Sequence, residues 1–388
     1  MNRLLLYSDM GLIYGAEQVT HALALGFARA GWRVTVAQPQ AENHLIAVRR
    51  AAGVEHRWLE PDVLWNTANP ARMLCDHVEP AQVLDEVRPD FVLFSDGAPM
   101  SLLTAKEVAA NRGVPYLVLC HCATVAWANA FAPAVTRLPA AYAHAREVVA
   151  VSRENLALLR SHFGLPPGAG IVIHNGRPEA FFAPRSAATR RRVRDELGIP
   201  AEAIVSMTVG RMDLSKGYQY QVAAIRHLRE SPVWESLRFL WVGGGGLAAQ
   251  MPGLLDRLRV RDKFSLLSSR DDVADLLDAA DLFVLPSLFE GMPLAILEAM
   301  AKGLPVIASA VSGTPEALDD TGRLLPVPPR DPAFPQALAS TIERLALDPA
   351  ERDALGAAAR ARADACFRES RMVDRYLALA ARAIGAAP

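Results

Sequence analysis

The sequence predicts an α/β protein built from two doubly wound domains in tandem. Short apolar, β-rich runs alternate with longer helical patterns along the whole chain, and the alternation restarts near the middle. The runs are apolar throughout, not alternately apolar and polar, as in parallel strands covered on both faces. At 388 residues the chain also exceeds what one hydrophobic core commonly supports.

In the first half, LLLYSD (4–9) reads as a buried strand, followed by a glycine-containing turn and a helix over 16–30. Gly31 stops that helix, and RVTVAQ (33–38) is a second strand. DFVLFSD (90–96), PYLVLCH (115–121) and EVVAVS (147–152) are further strands, with helical segments such as 101–111 between them. After IVIHNG (171–176), the charged stretch SAATRRRVRDELGIP reads as a surface helix. A second series follows: AIVSMTVGR (203–211), LRFLWVGGG (237–245), KFSLLS (263–268), DLFVLPS (281–287) and LPVIAS (304–309). The boundary therefore falls between 175 and 185, dividing the chain into domains 1–175 and 176–368. The remainder, 369–388, is a terminal amphipathic helix with Met372, Tyr376, Leu377 and Ala380 at helical spacing, expected to pack back on the first domain.

Composition narrows the function. The chain is 51% hydrophobic with a net charge of -1, so it has no general excess of Lys and Arg for binding nucleic acid. Cys75, Cys120, Cys122 and Cys366 do not form the disulfide pattern of a small secreted domain. Cys120-His121-Cys122 lacks a second Cys or His pair at ligand spacing, so no metal site is expected. The opening MNRLLLYSDMG has a four-residue apolar run, too short for a signal-peptide core, and no apolar run is long enough to span a bilayer. A soluble, cytoplasmic protein is expected, with peripheral membrane contact left open.

Ligands of doubly wound folds bind at the carboxyl ends of the strands, so chemistry is expected on strand-to-helix loops. LFEGMPLAILEAMAKGLPV (288–306) sets Glu290 and Glu298 into an apolar background, where an ionised carboxylate is costly unless paired. Pro293 fits the first position of a helix and Gly303 its stop, which puts Glu290 on the loop and Glu298 inside the helix. The helix N-terminus, with the amides of Met292 and Leu294, favours an anion such as phosphate. GRMDLSKG (210–217) leaves another strand carrying Arg211 and Lys216, a fork and a mobile point charge suited to a diphosphate. The two carboxylates can then accept hydrogen bonds from the hydroxyls of a sugar or a ribose. Glu17 and Asp96, which follow or end strands of the first half, are candidates for orienting an acceptor.

These residues resemble the retaining GT-B glycosyltransferases of glycosyltransferase family 4. The resemblance rests on VGR-x4-KG, on the E-x7-E spacing of Glu290 and Glu298, and on the run PSLFEGMPLAILEAMAKGLPVIAS with its flanks DDVADLLDAADLFVLPS and SGTPEAL. YGAEQVTHALALGFARAGWRV resembles the family's N-terminal loop and helix, and HNG (174–176) the segment that opens its second domain. The likeness covers nearly the whole chain and is strongest over 203–330. It implies a GT-B fold, with two Rossmann-like domains facing across a cleft, an acceptor side in 1–175 and a nucleotide-sugar donor side in 176–368. It also implies roles for individual residues. Arg211 and Lys216 bind the donor diphosphate and stabilise the leaving group, Glu290 holds sugar hydroxyls, and Glu298 holds the ribose. Gly210, Gly291, Met292, Pro293 and Leu294 complete the donor site, Gly15 lets the first loop approach the diphosphate, Arg270 contacts the nucleobase, and His121 faces the donor sugar. Acceptor contacts are expected from the loops at 65–73 and 124–136.

Three departures stand out. The turn Gly243–Gly246 is all glycine where the family often has an acid. Ser268-Ser269 replaces a glycine before the base-contacting loop, and Arg177-Pro178 follows HNG where an aliphatic residue and an Asp are usual. These leave the nucleobase and the domain junction open. The expected activity is retaining, metal-independent transfer from a UDP- or GDP-linked sugar, with no cofactor, to an acceptor hydroxyl on a glycan, a lipid-linked molecule or a small molecule. Front-side attack assisted by the departing phosphate is the mechanism that the resemblance favours. Two alternatives remain, a nucleotide-sugar epimerase or hydrolase on the same fold and a catalytically silent sugar-nucleotide-binding module. A dinucleotide dehydrogenase is disfavoured because no GxGxxG follows the first strand.

Overall fold

The computed structural model describes residues 1–41, 43–60 and 72–385. The chain forms two compact units, one of residues 1–176 with 369–388 and one of residues 177–368. Each is a parallel sheet with helices in its crossovers, the two-domain α/β plan of GT-B proteins.

In the first unit the strands are β1 (Arg3–Ser8), β2 (Arg33–Pro39), β3 (Glu55–Leu59), β4 (Phe91–Asp96), β5 (Tyr116–Cys120), β6 (Glu147–Ala150) and β7 (Ile171–Val172). They lie in the order β3-β2-β1-β4-β5-β6-β7, all parallel. β4 and β5 are buried at every position, which is why their sequences run apolar with no polar alternation. The order reverses between β1 and β4.

In the second unit β8 (Ile204–Val209), β9 (Leu237–Val242), β10 (Phe264–Leu267), β11 (Leu282–Leu285), β12 (Val306–Ser309) and β13 (Arg323–Leu325) form a second parallel sheet. Its order is β10-β9-β8-β11-β12-β13, so it reverses between β8 and β11. A reversal splays the crossovers to opposite sides and opens a crevice at the strand ends, where doubly wound folds bind ligands.

Two edge strands had no signal in the sequence. β3 reads EHRWL and β13 only RLL, too polar or too short to stand out from loop. IVIHNG pairs only at its first two residues. The terminal helix Glu369–Ala383 belongs to the first unit and buries Met372, Val373, Tyr376, Leu379 and Ala380. Leu379 thus takes the inward position expected of Leu377. Val373 sits on Gly26 of the Gly15–Arg29 helix so closely that a Cβ added there would lie 2.3 Å from Val373 Cγ1.

Candidate functional site

The loops that leave β8, β9 and β11 are packed backbone to backbone. Gly217 has φ +75, and a Cβ on it would lie 1.9 Å from the Pro286 carbonyl oxygen at the exit of β11. The Leu288 N–H donates to the Ser215 carbonyl at 2.7 Å across the same seam. Gly243 has φ +144, and a Cβ on it would lie 2.1 Å from the Gly210 carbonyl oxygen. The Met212 N–H in turn donates to the Gly244 carbonyl at 2.6 Å. The glycines of VGRMDLSKG and VGGGG therefore let the β8 loop be gripped from both sides.

Lys216 closes the turn Leu214–Lys216 on that loop, and its Nζ donates to Glu290 Oε1 at 2.6 Å. The Ser287 hydroxyl donates to the same oxygen at 2.7 Å. The Glu290 N–H donates to Ser312 Oγ at 3.0 Å, and Gly313 N–H to the Gly291 carbonyl at 3.1 Å, so the loop after β12 braces the glutamate from behind. Lys216 and Glu290 are thus in direct contact at the β8/β11 reversal. Arg211, on the same β8 loop directly after Gly210, is 45% exposed with Nε 3.1 Å from Asp213 Oδ2.

Gly291, Met292 and Pro293 lead into the helix Leu294–Ala301. Pro293 is extended (ψ 109) and occupies the cap position, one residue ahead of where the sequence pattern places it, because its carbonyl receives the first helical hydrogen bonds from Ile296 and Leu297. Gly303, at φ +70, follows the last turn as expected. Glu298 is buried inside this helix, and its Oε1 lies 2.6 Å from Arg177 Nη2. Burial raises the Glu298 carboxyl above its ordinary pKa, and Arg177 opposes that shift. Arg270 follows β10 and is engaged by Asp272 at 2.6 and 2.8 Å, with Glu196 at 3.6 Å.

In the first unit, His121 follows β5 and its Nε2 is 2.8 Å from Ser95 Oγ, which is 2.8 Å from Thr20 Oγ1. Burial pushes the His121 imidazole down to about 3, so it is neutral at neutral pH. Gly15 opens the Gly15–Arg29 helix.

Glu17 and Asp96 depart from the expectation of carboxylates facing an acceptor. Both side chains are fully buried, Glu17 against Arg49 at 2.8 Å and Asp96 against Lys106 at 2.5 Å. Burial pushes them up, Glu17 to about 7 and Asp96 to about 8, against the pull of their cations. Asp96 ends the central strand β4 and Glu17 lies in the Gly15–Arg29 helix, each buried in the core beside a buried cation.

Of the two loops assigned to an acceptor, 65–71 lies outside the described residues, and 124–136 forms the short helices Val125–Ala130 and Ala132–Val135. Among the described residues no three His, Cys, Asp or Glu side chains are grouped to hold a metal ion, and no helix is long and apolar enough to cross a membrane.

Three residues of the site were not singled out as ligand-reading from the sequence. Ser287 and Ser312 hold Glu290, and serine in a loop carries no signal of its own. Arg177 was visible only as a departure from the family pattern.

Two family models match the chain, one for Glycosyltransferase Family 4 over residues 13–181 and one for Glycosyl transferases group 1 over residues 203–348. The D-inositol 3-phosphate glycosyltransferase of Corynebacterium efficiens is 33% identical over 195 residues, 48% of this chain and 46% of that protein. The UDP-Gal:alpha-D-GlcNAc-diphosphoundecaprenol alpha-1,3-galactosyltransferase of Escherichia coli is 36% identical over 144 residues, 37% of each. The chain thus spans half or less of the length of these two curated relatives. Among solved structures, HepE of Anabaena in complex with UDP and glucose superposes with a TM-score of 0.81 at 19% identity, over 97% of this chain and 99% of that one.

Proposed function

Since the chain belongs to the glycosyltransferases that these two family models describe, we propose that it transfers a sugar from a nucleoside-diphosphate sugar to an acceptor hydroxyl, with retention and without a metal. The observation that carries this reading is the Lys216–Glu290 pair at the β8/β11 reversal. An ammonium has three donors, and Glu290 uses one of them. The others, with the half-exposed guanidinium of Arg211, form a receptor for a diphosphate. The N-terminus of the Leu294–Ala301 helix adds its dipole. Glu290, held by Ser287 and Ser312, accepts hydrogen bonds from the transferred sugar, and Glu298 from the ribose.

In the proposed reaction the bond from the anomeric carbon to the phosphate oxygen breaks as the acceptor oxygen bonds to the same face. The acceptor proton passes to a phosphate oxygen. Arg211, Lys216 and the helix dipole stabilise the negative charge that builds on the departing diphosphate, taking the part a metal plays elsewhere. UDP is the first nucleotide to test, because the Escherichia coli relative is named for UDP-Gal and HepE was crystallised with UDP. The cytoplasm is the proposed setting, in keeping with four cysteines that form no disulfide.

Turnover with donor and acceptor tests the reading. Lys216→Ala and Arg211→Ala are each expected to lower kcat by roughly a hundredfold or more while the thermal transition persists. A folded Lys216→Ala variant with native turnover contradicts the assignment. Steady product formation from the donor alone, at a rate no acceptor raises, points to a hydrolase or epimerase instead.

A further inference from the structure

We infer that Arg177 is a positioning residue for Glu298, holding one carboxylate oxygen so that the other is presented to the ribose hydroxyls of the donor nucleotide. The inference rests on the proposed function, in which Glu298 reads the ribose. It concerns a residue that the family pattern leaves aliphatic.

Glu298 sits in LAILEAMA, a helix whose other seven residues are all apolar, and its side chain is only 7% exposed. An ionised carboxylate in such surroundings needs a countercharge, or it takes up a proton. A protonated Glu298 accepts less strongly and donates where a ribose hydroxyl also donates. Arg177 supplies the charge at 2.6 Å and is itself buried, with 6% of its side chain exposed.

Arg177 is also held before any ligand arrives. Its N–H donates to the Phe367 carbonyl at 2.7 Å, and it pairs with Arg368 in an isolated parallel bridge. Its guanidinium lies over the Phe181 ring, 4.9 Å from the centroid. A cation fixed by backbone bonds and an aromatic face can hold a carboxylate in one orientation at little entropic cost. A surface salt bridge between two mobile side chains cannot do this.

The test is titration of UDP, 2′-deoxy-UDP and 3′-deoxy-UDP, with the GDP series alongside, into the native protein and into the Arg177→Met, Arg177→Lys and Glu298→Gln variants from pH 5 to pH 8. The native protein is expected to prefer the full ribose to at least one deoxy form. Arg177→Met is expected to weaken the full nucleotide about tenfold or more, the scale of one charge-assisted hydrogen bond. It should leave that deoxy form nearly unchanged, so the preference collapses. Its acid limb of binding moves to higher pH, because Glu298 without its cation keeps a proton longer. Arg177→Lys restores the charge and the pH limb but only part of the preference, and it gives the reading if the methionine variant does not fold. A folded Arg177→Met protein with native preference and native pH limb overturns the inference, as does equal weakening of every nucleotide. A native protein that binds UDP and both deoxy forms alike overturns it too, while leaving the donor site standing. Native protein that binds neither UDP nor GDP overturns the donor reading and this inference together.

Discussion

Glu290 and Glu298 lie eight residues apart in one apolar run, yet each is kept by a different cation, Lys216 for the first and Arg177 for the second. The same economy appears in the first unit, where Glu17 is matched to Arg49 and Asp96 to Lys106 with no exposed surface on any of the four. Lys106→Met takes away the partner of the buried Asp96 carboxyl and is expected to lower stability by about 1–3 kcal/mol, the cost of a buried polar group left without its hydrogen bond, read by urea denaturation. Asp96→Leu combined with Lys106→Met replaces both partners by apolar side chains and is expected to recover much of that loss. A second expectation concerns pH. The folded protein holds His121 near 3, below its ordinary 6.5, because burial penalises the imidazolium. Unfolded chains take up the proton as pH falls through 6.5, and folded ones do so only near 3. The stability from a neutral His121 is therefore complete above 6.5 and is lost as pH falls toward 3. His21 and His56, both pushed down to about 4, add in the same direction. Glu17 and Asp96, whose folded carboxyls are pushed up, act in the opposite direction over the same range, so the expectation is a difference: between pH 7 and pH 5 the urea midpoint of His121→Asn falls less, or rises more, than that of the native protein. At this scale the sequence exposed Arg211, Lys216, Glu290 and Glu298, because charges on strand exits and in apolar runs are conspicuous. It did not expose the partner of Glu298, since pairing between distant residues depends on folding, nor did it separate Glu17 and Asp96 from ligand-facing acids, since burial is not written in residue type.

At the scale of elements, loops hold the site through contacts that only glycine permits. Gly217→Ala places a methyl against the Pro286 carbonyl at a positive φ, and is expected to cost about 1–3 kcal/mol and to weaken diphosphate binding with it. Gly246→Ala, where a Cβ has no neighbour within 4 Å, is the matched control, expected to change neither the melting temperature nor binding. The glycine-rich turn was legible as a tight turn. That it presses on the Arg211 loop was not, because the partner backbone comes from another strand. The ends of the helix after β11 were legible to within a residue, as Pro293 and Gly303 show. The edge strands β3 and β13 were not, because half-polar, three- to five-residue strands are defined by the neighbour they pair with.

At the scale of the whole molecule, the restart of the strand pattern makes two α/β units legible in the sequence, because each parallel sheet needs its own set of apolar runs. The terminal helix was legible as amphipathic, while its seat on Gly26 depends on a shape match between helices distant in sequence. Truncation before residue 369 strips Met372, Val373, Tyr376, Leu379 and Ala380 from the first unit. It is expected to lower the melting temperature and raise binding of a hydrophobic dye. The central claim is that the β8/β11 reversal of the second unit, through Arg211, Lys216 and Glu290, receives a nucleoside-diphosphate sugar. Calorimetric titration of UDP- and GDP-linked sugars into the native protein and the Lys216→Ala variant tests it most directly. The expected result is saturable binding of one donor to the native protein, weakened roughly a hundredfold in the folded variant. Equal affinity for both proteins, or no binding of any donor to the native chain, would contradict it.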